Sequence, residues 1–473
     1  MRDRSRLALA IVCAVHAVAP LVLVGPRFWY EWDETVNISQ VSQHAPPGAF
    51  TAPRARGMPL LLAPVTELTY STVALRVYLA VLSSVLLYLA FSPWLRLRPG
   101  YVAAIAAGLF TTLWSAVYYG FEAMPNEYVA IGAVASVAHF LLAVRDRRSR
   151  NLWWLGGWLL FVSLMRPSDA VYLALPLLVA AAVVHGPPWR RRLLLATTVA
   201  AGVGLGWVEW AAEAYASYGG FLHRLRSASA ENHGGLHWSL GLQARAMAGP
   251  TLCRPCTRQV FWPAVGWWFL LVPLVAIGMW AAREQLSSVL LPTAAGLALL
   301  AEYVVTVDYA APRFLLPAYA LLAIPAAEGV RLLATSYAGW WRPAVAVPAL
   351  CAAGLVHVGI QIGVLEAAIV PRQTAGRLQY LSVAHDLVGH GIRPPCLVVG
   401  YFAPPIAFAA GCDDEPSMNH SAALQAVAAD GRTDVAVLSV RPAPASAFYA
   451  SWSHHRVRGP HLKHAWIVYE RRP

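Results

Sequence analysis

Apolar runs of roughly 17–25 residues, the length that carries a helix across about 30 Å of hydrocarbon, recur about eleven times along this chain. They lie near residues 7–25, 73–92, 101–119, 126–144, 151–165, 170–186, 193–212, 261–281, 286–306, 314–333 and 343–366. The fifth and sixth are short and are split by Arg166-Pro167-Ser168-Asp169. A backbone in lipid must hydrogen-bond to itself, so runs of this kind predict a polytopic α-helical membrane protein. With 58% hydrophobic and 13% charged residues the chain is too apolar for an ordinary soluble domain.

The net charge of +12 does not point to nucleic acid, because the arginines fall mostly in short loops between the apolar runs. Arg2, Arg4 and Arg6, then Arg96 and Arg98, then Arg145, Arg147, Arg148 and Arg150, then Arg190, Arg191 and Arg192 share one side. That side reads as cytoplasmic. An odd number of spans then puts the N-terminus inside and the C-terminus outside, in an integral plasma (cytoplasmic) membrane protein. Ten carboxylates, from Glu31 to Asp308, gather on the outer face, so that is where chemistry is expected.

Two long outer loops, residues 26–70 and 213–260, break the helical pattern. The first opens with Glu31-Trp32-Asp33-Glu34-Thr35, an acidic pair at the membrane boundary beside Phe28, Trp29 and Tyr30. A carboxylate there can take a proton from a hydroxyl while a lipid-borne substrate lies alongside. The bland alternative is an interfacial charge within an aromatic belt. Ile38, Val41 and Ala45 predict a short helix lying on the membrane surface and ended by Pro46-Pro47-Gly48. Arg54 and Arg56 follow, able to grip a phosphate or to snorkel to headgroups. The second outer turn carries Glu122 and Glu127 around Pro125, and two later corners carry Arg166 and Arg313. Either acid could serve only the helix dipole, and either arginine could be an anchor.

An acidic pair in the first outer loop, Arg56-Gly57 near that loop's end, Arg166-Pro167-Ser168 after the fifth span and Arg313-Phe314-Leu315-Leu316-Pro317 opening a late one resemble the GT-C superfamily of membrane glycosyltransferases. Among these the pattern is most similar to the mannosyltransferases of the N-glycan and GPI-anchor pathways. The resemblance spans residues 1–366. It departs at Asp308-Tyr309, where those enzymes carry a basic and acidic cluster, so the sugar is not inherited. The resemblance implies transfer from a polyprenyl-phosphate sugar to a glycan, lipid or protein acceptor of the cell envelope, with Asp33 as base and Glu34 beside it. Arg166, Arg313, Arg54 and Arg56 are then the candidates for the donor phosphate. Glu122, Glu127, Asp308 and His233 are candidates for the acceptor or a second acidic site. A divalent cation is possible; no metal ligand set stands out.

The second loop holds Cys253-Arg254-Pro255-Cys256, which in an oxidising compartment favours a local disulfide over zinc. Beyond residue 371 the long apolar runs give way to strand-like pieces at 396–401, 435–440 and 466–470 and a helix at 422–429. This predicts a small extracytoplasmic α/β domain over 371–473, stapled by Cys396 and Cys412. Cys13 and Cys351 read as packing residues within spans. No phosphate loop, GxGxxG or nucleophile elbow is present, which disfavours a nucleotide-sugar donor. A transporter or flippase is the alternative, expected to show charges in mid-span and paired broken helices. A noncatalytic scaffold is a third.

Overall fold

The computed structural model describes residues 2–98, 100–146, 148–184, 187–249, 251–335, 343–415, 424, 427, 429, 431–459 and 461–471. Among them, eight helices are long and apolar enough to cross a membrane: Asp3–Leu23, Thr72–Leu97, Pro125–Asp146, Trp189–Ser217, Trp262–Ala281, Ser287–Val305, Pro312–Thr335 and Val345–Gly389. The three remaining expected spans fall on shorter helices. Residues 101–119 break into Val102–Thr111 and Trp114–Tyr119, and the split pair forms Ser149–Met165 and Pro167–Val183. The chain is an integral membrane protein with a mostly helical body and a small C-terminal sheet.

Proline chemistry sets the break at Arg166. Ring atoms of Pro167 disfavour the α region for the preceding residue. Arg166 is accordingly extended (φ −151°, ψ 102°), closing one helix and capping the next. Ala311, before Pro312, is likewise extended (φ −144°, ψ 141°) and starts the 3₁₀ turn Pro312–Leu315 that carries Arg313.

Contacts divide the chain into two compact units: residues 1–25, 52–57 and 77–369, and residues 26–51, 58–76 and 370–473. The first is the helical body. Its interior is lined by the almost wholly buried helices Pro125–Asp146 and Leu316–Thr335. Arg98 is ion-paired there with Glu328, both buried. Cys253 and Cys256 form a disulfide beside Ala310.

The second unit contains a five-stranded sheet of order β2-β1-β3-β5-β4, built from Cys396–Gly400 (β1), Asp413–Glu415 (β2), Asp434–Ser439 (β3), Ser453–Arg456 (β4) and Ile467–Arg471 (β5). β1 runs parallel to both β2 and β3, while β5 is antiparallel to β3 and to β4. Alternation along β1 sends Val398 to a core shared with Val383, Leu387, Ile406 and Trp466, and Leu397 and Val399 to a core shared with Val437, Tyr449 and Tyr469. The Cys396–Cys412 disulfide ties β1 to the residue before β2. The expected strands at 396–401, 435–440 and 466–470 are β1, β3 and β5. The helix expected at 422–429 lies largely outside the described residues.

Three expectations need correction. The first-loop helix is Trp32–Ser39, so it contains the acidic pair and ends well before Pro46. The turn stops there because Ser39 Oγ accepts from the Gly48 amide at 3.0 Å and Gln40 Nε2 donates to the Gly48 carbonyl at 2.8 Å, folding the chain back. The helix that begins as the last span does not stop near 366: it continues through Leu365–Ile369 into Val370–Gly389, whose inner face enters the C-terminal core. Cys351 is exposed and fills no core; Cys13 is buried.

Candidate active site

Glu31 caps the Trp32–Ser39 helix, with its amide donating to Glu34 Oε2 at 3.1 Å, the reciprocal half of a capping box. The arrangement separates the two acids. Glu34 is buried and chelated: Arg76 donates from Nη1 to Oε1 at 2.5 Å and from Nη2 to Oε2 at 2.9 Å, and Arg377 Nη1 donates to Oε2 at 2.9 Å. Both arginines are also held by the 28–29 turn. Arg76 Nε reaches the Phe28 carbonyl at 3.1 Å and Nη2 the Trp29 carbonyl at 3.0 Å, while Arg377 bonds the Trp29 carbonyl and lies 3.9 Å from the Phe28 ring centre. Beside them burial raises the Tyr30 phenol above its ordinary pKa, outweighing its Thr72 hydrogen bond and the Arg76 charge, so it stays neutral. Asp33, one residue earlier in the first turn, is only half-buried. Glu34 thus anchors the loop.

The same unit packs the loop on its sheet domain. Tyr30 meets Phe408 edge-on at 6.1 Å, and Trp32 meets Phe402 at 6.0 Å.

In the helical body, Arg166 and Arg313 converge on one ring. The Arg166 guanidinium lies 5.9 Å and that of Arg313 5.5 Å from the centre of Phe314, which stacks on Tyr303 at 4.6 Å. Arg166 Nε pairs with Asp169 Oδ1 at 3.0 Å, and the Tyr303 hydroxyl donates to the same oxygen at 2.7 Å. Arg313 is buried and donates to the Thr251 carbonyl at 3.1 Å. Arg166, paired with Asp169, is partly exposed, whereas Arg313 is buried.

Arg56 is committed elsewhere: its Nε reaches Glu213 Oε1 at 2.6 Å, and Glu213 Oε2 pairs with Arg224 at 2.7 Å. Arg224, which the sequence did not single out, is fully buried between Trp210 and Tyr218, 4.3 and 4.2 Å from their ring centres, and donates to the carbonyls of Ala52 and Arg54. The segment bearing Arg54 is therefore fixed by its backbone. Glu122 is buried in its turn, and Glu127 is buried against His16 at 3.4 Å. His233 pairs with Asp308 at 3.2 Å, both half-exposed, next to a Tyr309–Asn232 hydrogen bond.

Among the described residues Asp386, His390 and His455 bring metal-type ligand atoms together. The two imidazoles are stacked 3.7 Å apart at 16°, so an ion shared by both would lie outside both ring planes, away from the nitrogen lone pairs. As folded, the group is a carboxylate bonded to His455 at 2.6 Å rather than a cation cage.

A helical membrane body with an acid-bearing first loop and a small C-terminal α/β unit is the GT-C fold. The chain is similar in structure to ArnT from Cupriavidus metallidurans, solved bound to undecaprenyl phosphate, with 13% identity, 97% of each chain covered and a TM-score of 0.67. In its apo state ArnT gives 12% identity, the same coverage and 0.65. The Archaeoglobus fulgidus oligosaccharyltransferase AglB, solved with an inhibitory peptide and a dolichol-phosphate, matches at 12% identity over 91% of this chain and 69% of its own, with a TM-score of 0.54. No protein-family model matches the sequence, and no curated protein does.

Proposed function

We propose that this protein is a membrane glycosyltransferase that moves a sugar from a polyprenyl-phosphate carrier to a cell-envelope acceptor on the extracytoplasmic face. The observation that carries the reading is the convergence of Arg166 and Arg313 on Phe314, in a fold whose solved relatives hold undecaprenyl phosphate and a dolichol-phosphate. Asp33 accepts the proton of the acceptor hydroxyl as its oxygen bonds to the anomeric carbon. The carbon–oxygen bond to the carrier breaks, and the phosphate leaves with the electron pair, stabilised by the two guanidinium groups. Mannose, arabinose and glucose carriers all satisfy this chemistry, and all three are to be tried.

The test is incorporation of radiolabelled polyprenyl-phosphate sugar into membranes containing the wild-type protein, Asp33→Asn or Glu34→Gln. Full activity of Asp33→Asn would remove the base assignment; no incorporation with any of the three sugars would remove the reading. The transport alternative draws on the buried His16–Glu127 pair, an ionisable contact within the spans. It predicts carrier movement across proteoliposomes without sugar transfer.

A further inference from the structure

Three parallel strands in the order β2-β1-β3 mean that the chain leaves β1 to one side for β2 and returns on the other side for β3. The C-terminal ends of β1 and β3 therefore flank a topological switch point, where open α/β sheets form their ligand crevices. A cavity of about 360 Å³ lies there, within the size range of small-molecule sites. One wall is Gly400, Tyr401 and Phe402 after β1, another is Leu438 to Arg441 at the end of β3, and Trp32 closes it.

The chemistry of the walls selects the ligand. Nucleotides at switch points are held by free amides of the following helix. Here the helix Ala403–Ala410 begins Ala-Pro-Pro, so Pro404 and Pro405 remove donors from its first turn. Aromatic faces replace them. Tyr401 and Phe402 meet edge-to-face at 4.6 Å, and Phe402 meets Trp32 in the same way at 6.0 Å. Phe402 holds φ 52°, ψ 33°, a left-handed conformation that a bulky side chain adopts only against strain, and strain of this kind gathers at ligand sites. Ser439 is spent on its own turn, its hydroxyl donating to the Arg441 carbonyl at 2.6 Å and accepting from the Arg441 amide at 3.2 Å. The exposed Arg441 remains as a donor of hydrogen bonds at the rim. Apolar ring faces with peripheral donors match a sugar ring, which is apolar on its C–H face and hydroxylated at its edge.

We propose that this cleft is a saccharide subsite that seats a sugar unit of the acceptor, with Trp32 joining it directly to Asp33 in the chain. The identification of the bound sugar as acceptor rests on the glycosyltransferase reading; the saccharide binding does not.

The experiment is saturation-transfer-difference NMR on the full-length protein in nanodiscs, with methyl α-mannopyranoside and methyl α-glucopyranoside as probes and AMP as the contrasting ligand. Transfer to the C–H protons of a glycoside, reduced roughly fivefold or more in Tyr401→Ala and in Phe402→Gly and kept in Asp33→Asn, supports the subsite. Glycine adopts φ > 0 without strain, so Phe402→Gly removes the ring while retaining the fold. Absence of glycoside signal, equal signal in the variants, or signal from AMP alone would overturn it. Loss of sugar transfer in membranes with glycoside binding intact would count against the glycosyltransferase reading and leave the subsite standing.

Discussion

Glu34 and Arg377 lie 343 residues apart in the chain and form an ion pair at 2.9 Å with both side chains buried. The contact ties the first loop to the helix that leads into the C-terminal sheet, and with Arg76 it holds Glu34 as a buried strut. Removing one partner of a buried charge network strands the others without water, which costs about 3–5 kcal/mol. Glu34→Gln and Arg377→Met should each lower the thermal unfolding temperature in detergent by several degrees. Unchanged unfolding in both would return Glu34 to the list of candidate bases.

Asp33→Asn keeps size and shape while removing the proton acceptor. Sugar transfer should fall about 10²-fold or more, the usual range for a positioned general base, with unfolding unchanged. The contrast between the two acids is the informative readout: position 33 should affect rate alone, and position 34 should affect stability first.

Arg166→Gln and Arg313→Gln should raise the apparent KM for a polyprenyl-phosphate sugar about 10-fold or more, the loss of one charge-assisted hydrogen bond to a phosphate. Substitution of Arg166 also leaves Asp169 with the Tyr303 hydroxyl on its Oδ1. An Arg166→Gln, Asp169→Asn double variant therefore separates folding from donor use. If the double variant recovers stability but not KM, the arginine acts on the donor; recovery of both would make Arg166 an anchor.

Arg224→Ala should destabilise more than Arg56→Ala. Arg224 is fully buried between two aromatic rings and loses three backbone carbonyl contacts, whereas the Arg56 side chain is a third exposed. Differential scanning fluorimetry should show a shift of several degrees for Arg224→Ala and a small one for Arg56→Ala. Equal shifts would mean that the Arg56–Glu213 pair, and not the stacked arginine, fixes the 52–57 segment.

With Arg-rich loops on one side and about eleven spans, residues 370–473 are expected outside. A periplasm-active reporter fused after residue 473 should be active and a cytoplasm-only reporter silent. The reverse pattern would remove the extracytoplasmic chemistry.

Much of the architecture is local and so was readable in order along the chain. Lipid forces long apolar runs into helices, proline expels Arg166 and Ala311 from the helical region and opens corners beside the candidate arginines, and Cys253 and Cys256, three residues apart, pair with each other. Strands β1, β3 and β5 announced themselves as short β-branched and aromatic runs. The polar strands β2 and β4 did not, because Asp-Asp-Glu and Ser-His-His-Arg carry no apolar alternation.

The side-chain partners were decided by tertiary structure. Nothing local shows which acid compensates Arg76 in its apolar run; in the fold it is Glu34, held also by Arg377 from the far end of the chain. Nothing local marks Arg224; its burial comes from Trp210 and Tyr218. Periodicity and turn chemistry act over a few residues, so sequence alone determines most of the long helices and the proline breaks, but not where the first-loop helix ends. The desolvation that makes one carboxylate a buried strut and leaves its neighbour half-buried depends on contacts across hundreds of residues, which only the folded chain supplies.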